Sequence, residues 1–252
     1  MPLSHRRSRS QGLKAHERRT GFLLLVPALI AFTAVILWPF LQSLRLSLYK
    51  FTIEMEQPKF VGLQNFSRIL NDPGTLTVWL NTLVFVVVTT GLTFAMGLAW
   101  ALMMNQSFKG RGFLRAASLL PWVLPTTVTA FLAAWIFNGQ YGVLNAVLLQ
   151  TGLISEPITW LAEQKGAMAA VIITKAWLSV PLFMAFFLAG LQGVSSDQVD
   201  AARVDGCENA GVLRYVILPH LAPTMIIVTI LGAMGNLQAF DVIYAMTQGG
   251  PI

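Results

Sequence analysis

Hydrophobic residues fall in five long blocks, roughly 20 to 44, 76 to 104, 113 to 137, 166 to 193 and 219 to 245, and polar and charged residues collect between them. A helix needs about 20 apolar residues to cross a hydrocarbon core of roughly 30 Å, so each block predicts a transmembrane span. The stretch 138 to 165 is different: it is amphipathic and glycine-punctuated, with Tyr141, Leu144, Val147, Leu148 and Leu149 at mostly helical spacing and Trp160 near its end. It is too short and too broken to cross. It reads as a helix lying at the outer interface, a lid over a pore mouth, or a surface helix that only seals the bundle. The expected fold class is all-α, a polytopic membrane helix bundle.

Breakers inside the blocks refine this picture. Pro121 and Pro125 in the third block and Pro181 in the fourth each remove a backbone hydrogen bond where no water replaces it. Such breaks survive where a neighbouring helix or a wet cavity satisfies the freed carbonyls, so they mark either a translocation pathway or plain packing kinks. Gly91, Gly97, Gly232 and Gly235 are read as points of close helix approach.

Composition agrees with a bilayer solvent, since 55% of the 252 residues are hydrophobic and only 11% charged. The net charge of +6 does not point to nucleic acid, because the basic residues sort by membrane side and do not gather on one soluble face. The tail, residues 1–19, carries Arg6, Arg7, Arg9, Lys14, Arg18 and Arg19. Placing it in the cytoplasm puts Lys109, Arg111, Arg115, Arg203 and Arg214 inside as well, and leaves Arg45, Lys50, Lys59, Arg68 and Lys165 outside among Glu54, Glu56, Asp72, Glu156 and Glu163. The first block exceeds a signal-peptide core and lacks an Ala-x-Ala site, so it is read as a retained span. A lone Cys207 excludes an internal disulfide and a paired thiolate metal site. His5, His16 and His220 have no nucleophile and carboxylate pattern beside them, which argues against a hydrolase.

The polar connection 195 to 219 holds the densest local signals. Ser195 or Ser196 can cap a helix, Ser195 with Gln198 matches a capping box, and Asp197 and Asp200 suit the positive end of the helix. Ala201 and Ala202 are small enough for a partner surface to close over them. Gly206 ends the helix, and a second short helix from about Glu208 to Val216 leads to Pro219, which starts the last block. A well-capped pair joining two spans would read the same way, but a minimal connection needs only a few residues. The extra length suits a rigid lever held by another protein. No Gly-x-x-x-x-Gly-Lys-Ser/Thr occurs, so a nucleotide cradle has to come from a separate polypeptide.

Asp200-Ala201-Ala202, Asp205-Gly206 and Leu218-Pro219 stand at the spacing of the "EAA" coupling loop, and the chain resembles ABC importer permeases of the sugar type. Phe60-Val61-Gly62-Leu63-Gln64-Asn65-Phe66 is similar to the family's "GLxNF" segment. Asn81-Thr82-Leu83, Leu120-Pro121-Trp122, Gly142-Val143-Leu144-Asn145, Trp177, Ala189-Gly190-Leu191-Gln192, Phe240-Asp241-Val242-Ile243-Tyr244 and Thr247-Gln248-Gly249-Gly250-Pro251 follow in the family's order. Asp200 stands where Glu is usual, and Cys207 where a small Ala is. The resemblance implies a transmembrane permease domain over 20–252 in the inner membrane, with a cytoplasmic N-terminus and a coupling loop at 195–219. The family core has six spans, so a sixth is expected and missing. The chain then reads as C-terminally truncated or as a product that ends early.

The partners implied are a second permease subunit in a heterodimer, an ABC ATPase dimer and an extracytoplasmic solute-binding protein. ATP and Mg would be used by the ATPase, with no cofactor or metal on this chain. Asp200, Ala201, Ala202, Arg203, Asp205 and Gly206 would form the ATPase-coupling surface. A sugar, oligosaccharide, glycerol phosphate or other polyol is bound by dispersed hydrogen bonds and aromatic stacking. Candidate pathway residues are Asn236, Gln238, Phe240, Lys175 and Trp122, with interhelical bonding the alternative for the two amides. Lys175 could face a cavity, pair with an acidic neighbour, or snorkel outward. The rival classes are an ion-coupled secondary transporter, for which only Lys175 and Asp241 offer intramembrane charge, and a non-transporting structural membrane subunit.

Overall fold

The computed structural model describes residues 20–51 and 58–250. The basic tail 1–19, Glu54, Glu56 and Pro251 lie outside the described residues. The chain forms two compact units, Met1–Thr77 and Val78–Ile252.

In the first unit, helix α1 (Thr20–Leu46) is long and apolar enough to cross a membrane and is exposed along nearly its whole length. A widened π-helical turn, Thr33–Leu37, lies just before Pro39. Proline offers no N–H and its ring crowds the carbonyl four residues back, and a π turn absorbs both effects without ending the helix. Strands β1 (Tyr49–Lys50) and β2 (Lys59–Phe60) then pair antiparallel, Tyr49 opposite Phe60. Gly62 turns the chain at φ +57° into α2 (Gln64–Asn71). Asn65 pins that turn by donating from Nδ2 to the carbonyls of Ser47 (2.8 Å) and Tyr49 (3.0 Å). The glycine and the asparagine of the Gly62-Leu63-Gln64-Asn65-Phe66 segment thus each have a local structural task.

The second unit is built on α3 (Pro73–Asn105), α4 (Arg111–Val123), α5 (Thr126–Ile136), α6 (Val143–Gln150), α7 (Gln164–Leu191), α8 (Ser196–Val204), α9 (Asn209–Leu237) and α10 (Phe240–Thr247). Two apolar clusters fix how these helices run. At one level Phe85 of α3, Ala130 and Ala133 of α5, Ala170 to Ile172 of α7, and Val242 and Met246 of α10 pack together. At the other, Ala101 and Met104 of α3 meet Phe183, Phe187 and Leu191 of α7 and Leu221 and Val228 of α9. Residue numbers rise together in α3 and α7 and fall in α9, so α3 and α7 are parallel and α9 runs against them. The pair α4 and α5 must therefore cross back between the two levels. With α1, these helices make the five expected spans, the third of them broken.

Helix α7 is buried on most of its circumference, as expected of an apolar helix enclosed by others. Its neighbours come close through glycine. A Cβ on Gly97 would lie 2.6 Å from the Phe183 Cβ, and one on Gly232 would collide with the Phe183 ring. Gly91 and Gly235, expected to do the same, have nothing within 4 Å of a built Cβ. They lie on exposed faces of their helices, so the close-approach reading fails for them.

Three boundaries differ from expectation, each for a backbone reason. The third span bends by 91° between α4 and α5 because Leu124, preceding Pro125, is held extended at φ −68°, ψ 140°. Pro219 does not start the fifth span: the short helix expected to end near Val216 continues into it through a second π turn, Leu213–Ile217. That span then stops at Leu237 and not near 245. Ala239, at φ −76°, ψ 71°, forms an inverse γ-turn in which the Phe240 N–H reaches the Gln238 carbonyl at 2.9 Å. Pro181, by contrast, sits inside α7 without interrupting it.

The stretch between α5 and α7 is helical only over Val143–Gln150. Buried Asn145 organises the rest. Its Nδ2 donates to the carbonyls of Gly139 and Ile158, both at 2.9 Å, and its Oδ1 accepts from the Trp160 ring at 2.9 Å and the Ile158 N–H at 3.3 Å. Leu144 and Trp160 pack on the first apolar cluster, so this segment seals one end of the bundle.

Candidate coupling loop and translocation surface

Beyond α7 the chain passes Gly193 and enters α8, whose two ends are both closed. At the start, the Asp197 N–H donates to the Ser195 hydroxyl at 3.3 Å. The reciprocal bond expected of a capping box, from the Ser195 N–H to the Gln198 side-chain oxygen, is not formed among the described residues, so the cap is one-sided. At the end, Gly206 takes φ +87°, its N–H donates to the Arg203 carbonyl at 3.0 Å, and the Cys207 N–H donates to the Ala202 carbonyl at 2.9 Å. This pair of bonds is the Schellman arrangement, which glycine adopts without a Cβ penalty. Arg203 and Asp200 approach to 3.7 Å across one turn, a solvated pair that adds little stability.

Helix α8 buries none of its residues. Asp200, Ala201, Arg203, Asp205 and Gly206 are exposed and Ala202 is half-buried, so the six coupling-loop residues do form one accessible segment. The sequence reading missed Val204, an aliphatic side chain 88% exposed at the end of α8. Its signal was an apolar residue flanked by Arg203 and Asp205 in an otherwise polar loop. Tyr215 was also missed: it is exposed and its ring lies under the Arg214 guanidinium, 5.8 Å from the centroid. Helix α9, 29 residues long, spans about 44 Å at roughly 1.5 Å per residue. Its first turns therefore project beyond a core of roughly 30 Å, and α8 is carried on that projection.

The pathway candidates separate into three places. Asn236 is buried and donates from Nδ2 to the Thr90 hydroxyl at 2.9 Å, so it ties α9 to α3 and does not line an open surface. Gln238 and Phe240 are exposed at the α9–α10 break. Phe240 stacks on Tyr244, with ring centroids 5.1 Å apart and planes 17° from parallel. Lys175 is half-buried on α7 and has Asp241 of α10 as its charged neighbour. Trp122 is exposed at the elbow of the third span, with no ring contact or hydrogen bond joining it to that group among the described residues. Among the described residues, the buried hydroxyls of Thr89, Thr93 and Thr129 have no hydrogen-bond partner.

The structure thus places a capped, exposed helix at one end of a polytopic bundle, and comparison with known proteins gives the family. Residues 91–252 match the family described as "Binding-protein-dependent transport system inner membrane component", and the chain belongs to it. It is 34% identical over 242 residues to the trehalose/maltose transport system permease protein MalF of Thermococcus litoralis, covering 95% of this chain and 80% of that protein. It is 32% identical over 236 residues to the sulfoquinovosyl glycerol transport system permease protein SmoG of Agrobacterium fabrum, covering 93% and 76% respectively. Among solved structures, a bacterial ABC transporter involved in the import of the acidic polysaccharide alginate superposes with a TM-score of 0.76 at 20% identity, over 94% of this chain and 81% of that one. At that identity the likeness establishes the fold. The chain is thus a multi-pass membrane component of a transport system, not an enzyme.

Proposed function

We propose that this chain is one of two permease subunits of an ATP-driven importer for a carbohydrate or related polyol, fed by an extracytoplasmic solute-binding protein. The observation that carries the proposal is α8: capped at both ends, free of burial, and offering Val204 and Ala201 to a partner. The partner is an ABC ATPase dimer, and ATP and Mg are handled there. Closure of the ATPases around nucleotide pushes α8 as a rigid rod, and α9, which follows directly, carries the movement into the bundle. The names of the relatives, a trehalose/maltose and a sulfoquinovosyl glycerol permease, support the substrate class.

The end bearing α8 is read as cytoplasmic. In the second unit Lys109, Arg111, Arg115, Arg203 and Arg214 cluster at that end, against Lys165 at the other, which is the bias expected of inner loops. Gln238, Phe240, Asp241, Tyr244 and Lys175 are the proposed sugar contacts, since a stacked aromatic pair beside hydrogen-bonding groups suits a pyranose face.

Reconstitution with the ATPase, second permease and binding protein tests this. Uptake of sugar that requires ATP and the binding protein is expected. Uptake driven by an ion gradient without the ATPase would make the chain a secondary carrier. Assembly of the complex with no uptake of any sugar or polyol would make it a scaffold.

A further inference from the structure

The bundle has one feature that transport as proposed does not use: a cavity of about 280 Å³ between α3, α4 and α7, with Met96 and Trp100, Leu114 and Ser118, and Trp177 among its walls. Two of its three polar side chains, Trp100 and Ser118, are already paired, which leaves the Trp177 indole N–H. The Trp100 indole N–H donates to the Ser118 hydroxyl at 3.0 Å, and that hydroxyl donates to the Leu114 carbonyl at 2.6 Å. A water cluster or a sugar needs several free partners at such a site, and an apolar cavity without them stays dry or takes an apolar guest. Trp100 and Trp177 are 43% and 47% exposed, so the cavity opens on the side of the bundle.

Cations gather at one rim. Arg115 is fixed there by donating from Nε and Nη2 to the Met104 carbonyl at 3.1 and 2.6 Å, one turn of α3 beyond Trp100. Arg111 lies one turn before Leu114 and Arg115 on α4, and Lys109 just precedes it. Both are exposed, and no Asp or Glu occurs anywhere in 105–118. An oily slot beneath a patch of positive charge that forms no salt bridge among the described residues, at the level where helices leave the bilayer, is complementary to an amphiphile with an anionic head.

We propose that this cavity binds one acyl chain of an anionic phospholipid from the adjacent leaflet, with the phosphate held by Arg111, Lys109 and the remaining donors of Arg115. The site needs neither ATP nor sugar, so it stands or falls separately from the importer reading.

The test uses the full chain in phosphatidylcholine nanodiscs containing either phosphatidylglycerol with dibrominated acyl chains or the same proportion of dibrominated phosphatidylcholine. Quenching assigned to Trp100 and Trp177 is obtained by difference from Trp100→Phe and Trp177→Phe. Stronger quenching by the brominated phosphatidylglycerol is expected. Lys109→Gln with Arg111→Gln should reduce that preference by about 25-fold in lipid competition, since each basic residue at an anionic surface is worth about fivefold. Ala117 also lines the cavity from α4, so Ala117→Leu should fill it and block quenching by both lipids while the melting temperature holds. Equal quenching by the two lipids would overturn the proposal, as would a preference that survives removal of the two cations. Absence of quenching by either lipid would mean that a protein segment covers the cavity, which also overturns it.

Discussion

Replacing Gly206 separates the lever from the bundle that carries it. At φ +87° a residue with a Cβ pays roughly 1–2 kcal/mol to stay left-handed. If it escapes, the two hydrogen bonds that end α8, from Gly206 to Arg203 and from Cys207 to Ala202, are lost at about 1 kcal/mol each. Either route costs about 2 kcal/mol, close to a 30-fold shift toward a frayed helix end. That matters because α8 has nine residues, fewer than a helix needs to persist without its caps or partners. The bundle should not notice, since nothing lies within 4 Å of a Cβ built at 206 and α8 contributes no buried residue. Gly206→Val should therefore insert at normal level, melt with the wild type in detergent, and lose most substrate uptake and substrate-stimulated ATP hydrolysis. Gly206→Asn, which tolerates the left-handed region, should retain much of both, with Gly206→Ala between them. Wild-type uptake by the valine variant would refute the lever argument. So would an asparagine variant as inactive as the valine one, because backbone conformation would then not be the cause.

Three further outcomes follow from the packing. Gly97→Val drives a Cβ to 2.6 Å from that of Phe183 and should lower stability by about 1–3 kcal/mol, read as a fall in detergent melting temperature, whereas Gly91→Ala should leave it unchanged. Asn145→Ala strips partners from the Trp160 ring and the 139 and 158 backbone, costing about 3 kcal/mol, and should expose 138–163 to limited proteolysis before the spans unfold; an unchanged cleavage pattern would remove Asn145 as the organiser. Asn236→Leu and Thr90→Val should show a coupling of about 0.6 kcal/mol, at most about 1.7, in a double-mutant cycle. Lost uptake with no change in stability would instead make Asn236 a substrate contact.

The spans were legible because apolar length is a strong local signal, and α8 because Ser195 and Gly206 are local cap chemistry. What escaped depended on partners distant in sequence or on competition within the backbone. Gly97 and Gly91 look alike in the sequence, and only the direction in which each faces decides which one meets Phe183. Asn236 was weighed as a pathway residue or a tie between helices, and Thr90, 146 positions away, settled its hydrogen bond. Pro219 was expected to behave as a helix boundary, yet it is carried by a π turn, whereas Pro125 breaks its span because Leu124 is forced extended. Val204 escaped because the polar residues of the loop drew the attention, although the exposed apolar side chain is the more unusual feature.

Site-specific crosslinking from the exposed end of α8 tests the central claim most directly. In a Cys207→Ser background, Val204→Cys carrying a short photoactivatable maleimide should give one dominant adduct with the ATPase, stronger or weaker with nucleotide, and should be shielded from an impermeant thiol reagent applied outside the cell. Labelling of that cysteine from the external face, or adducts with lipid and no ATPase, would contradict the account.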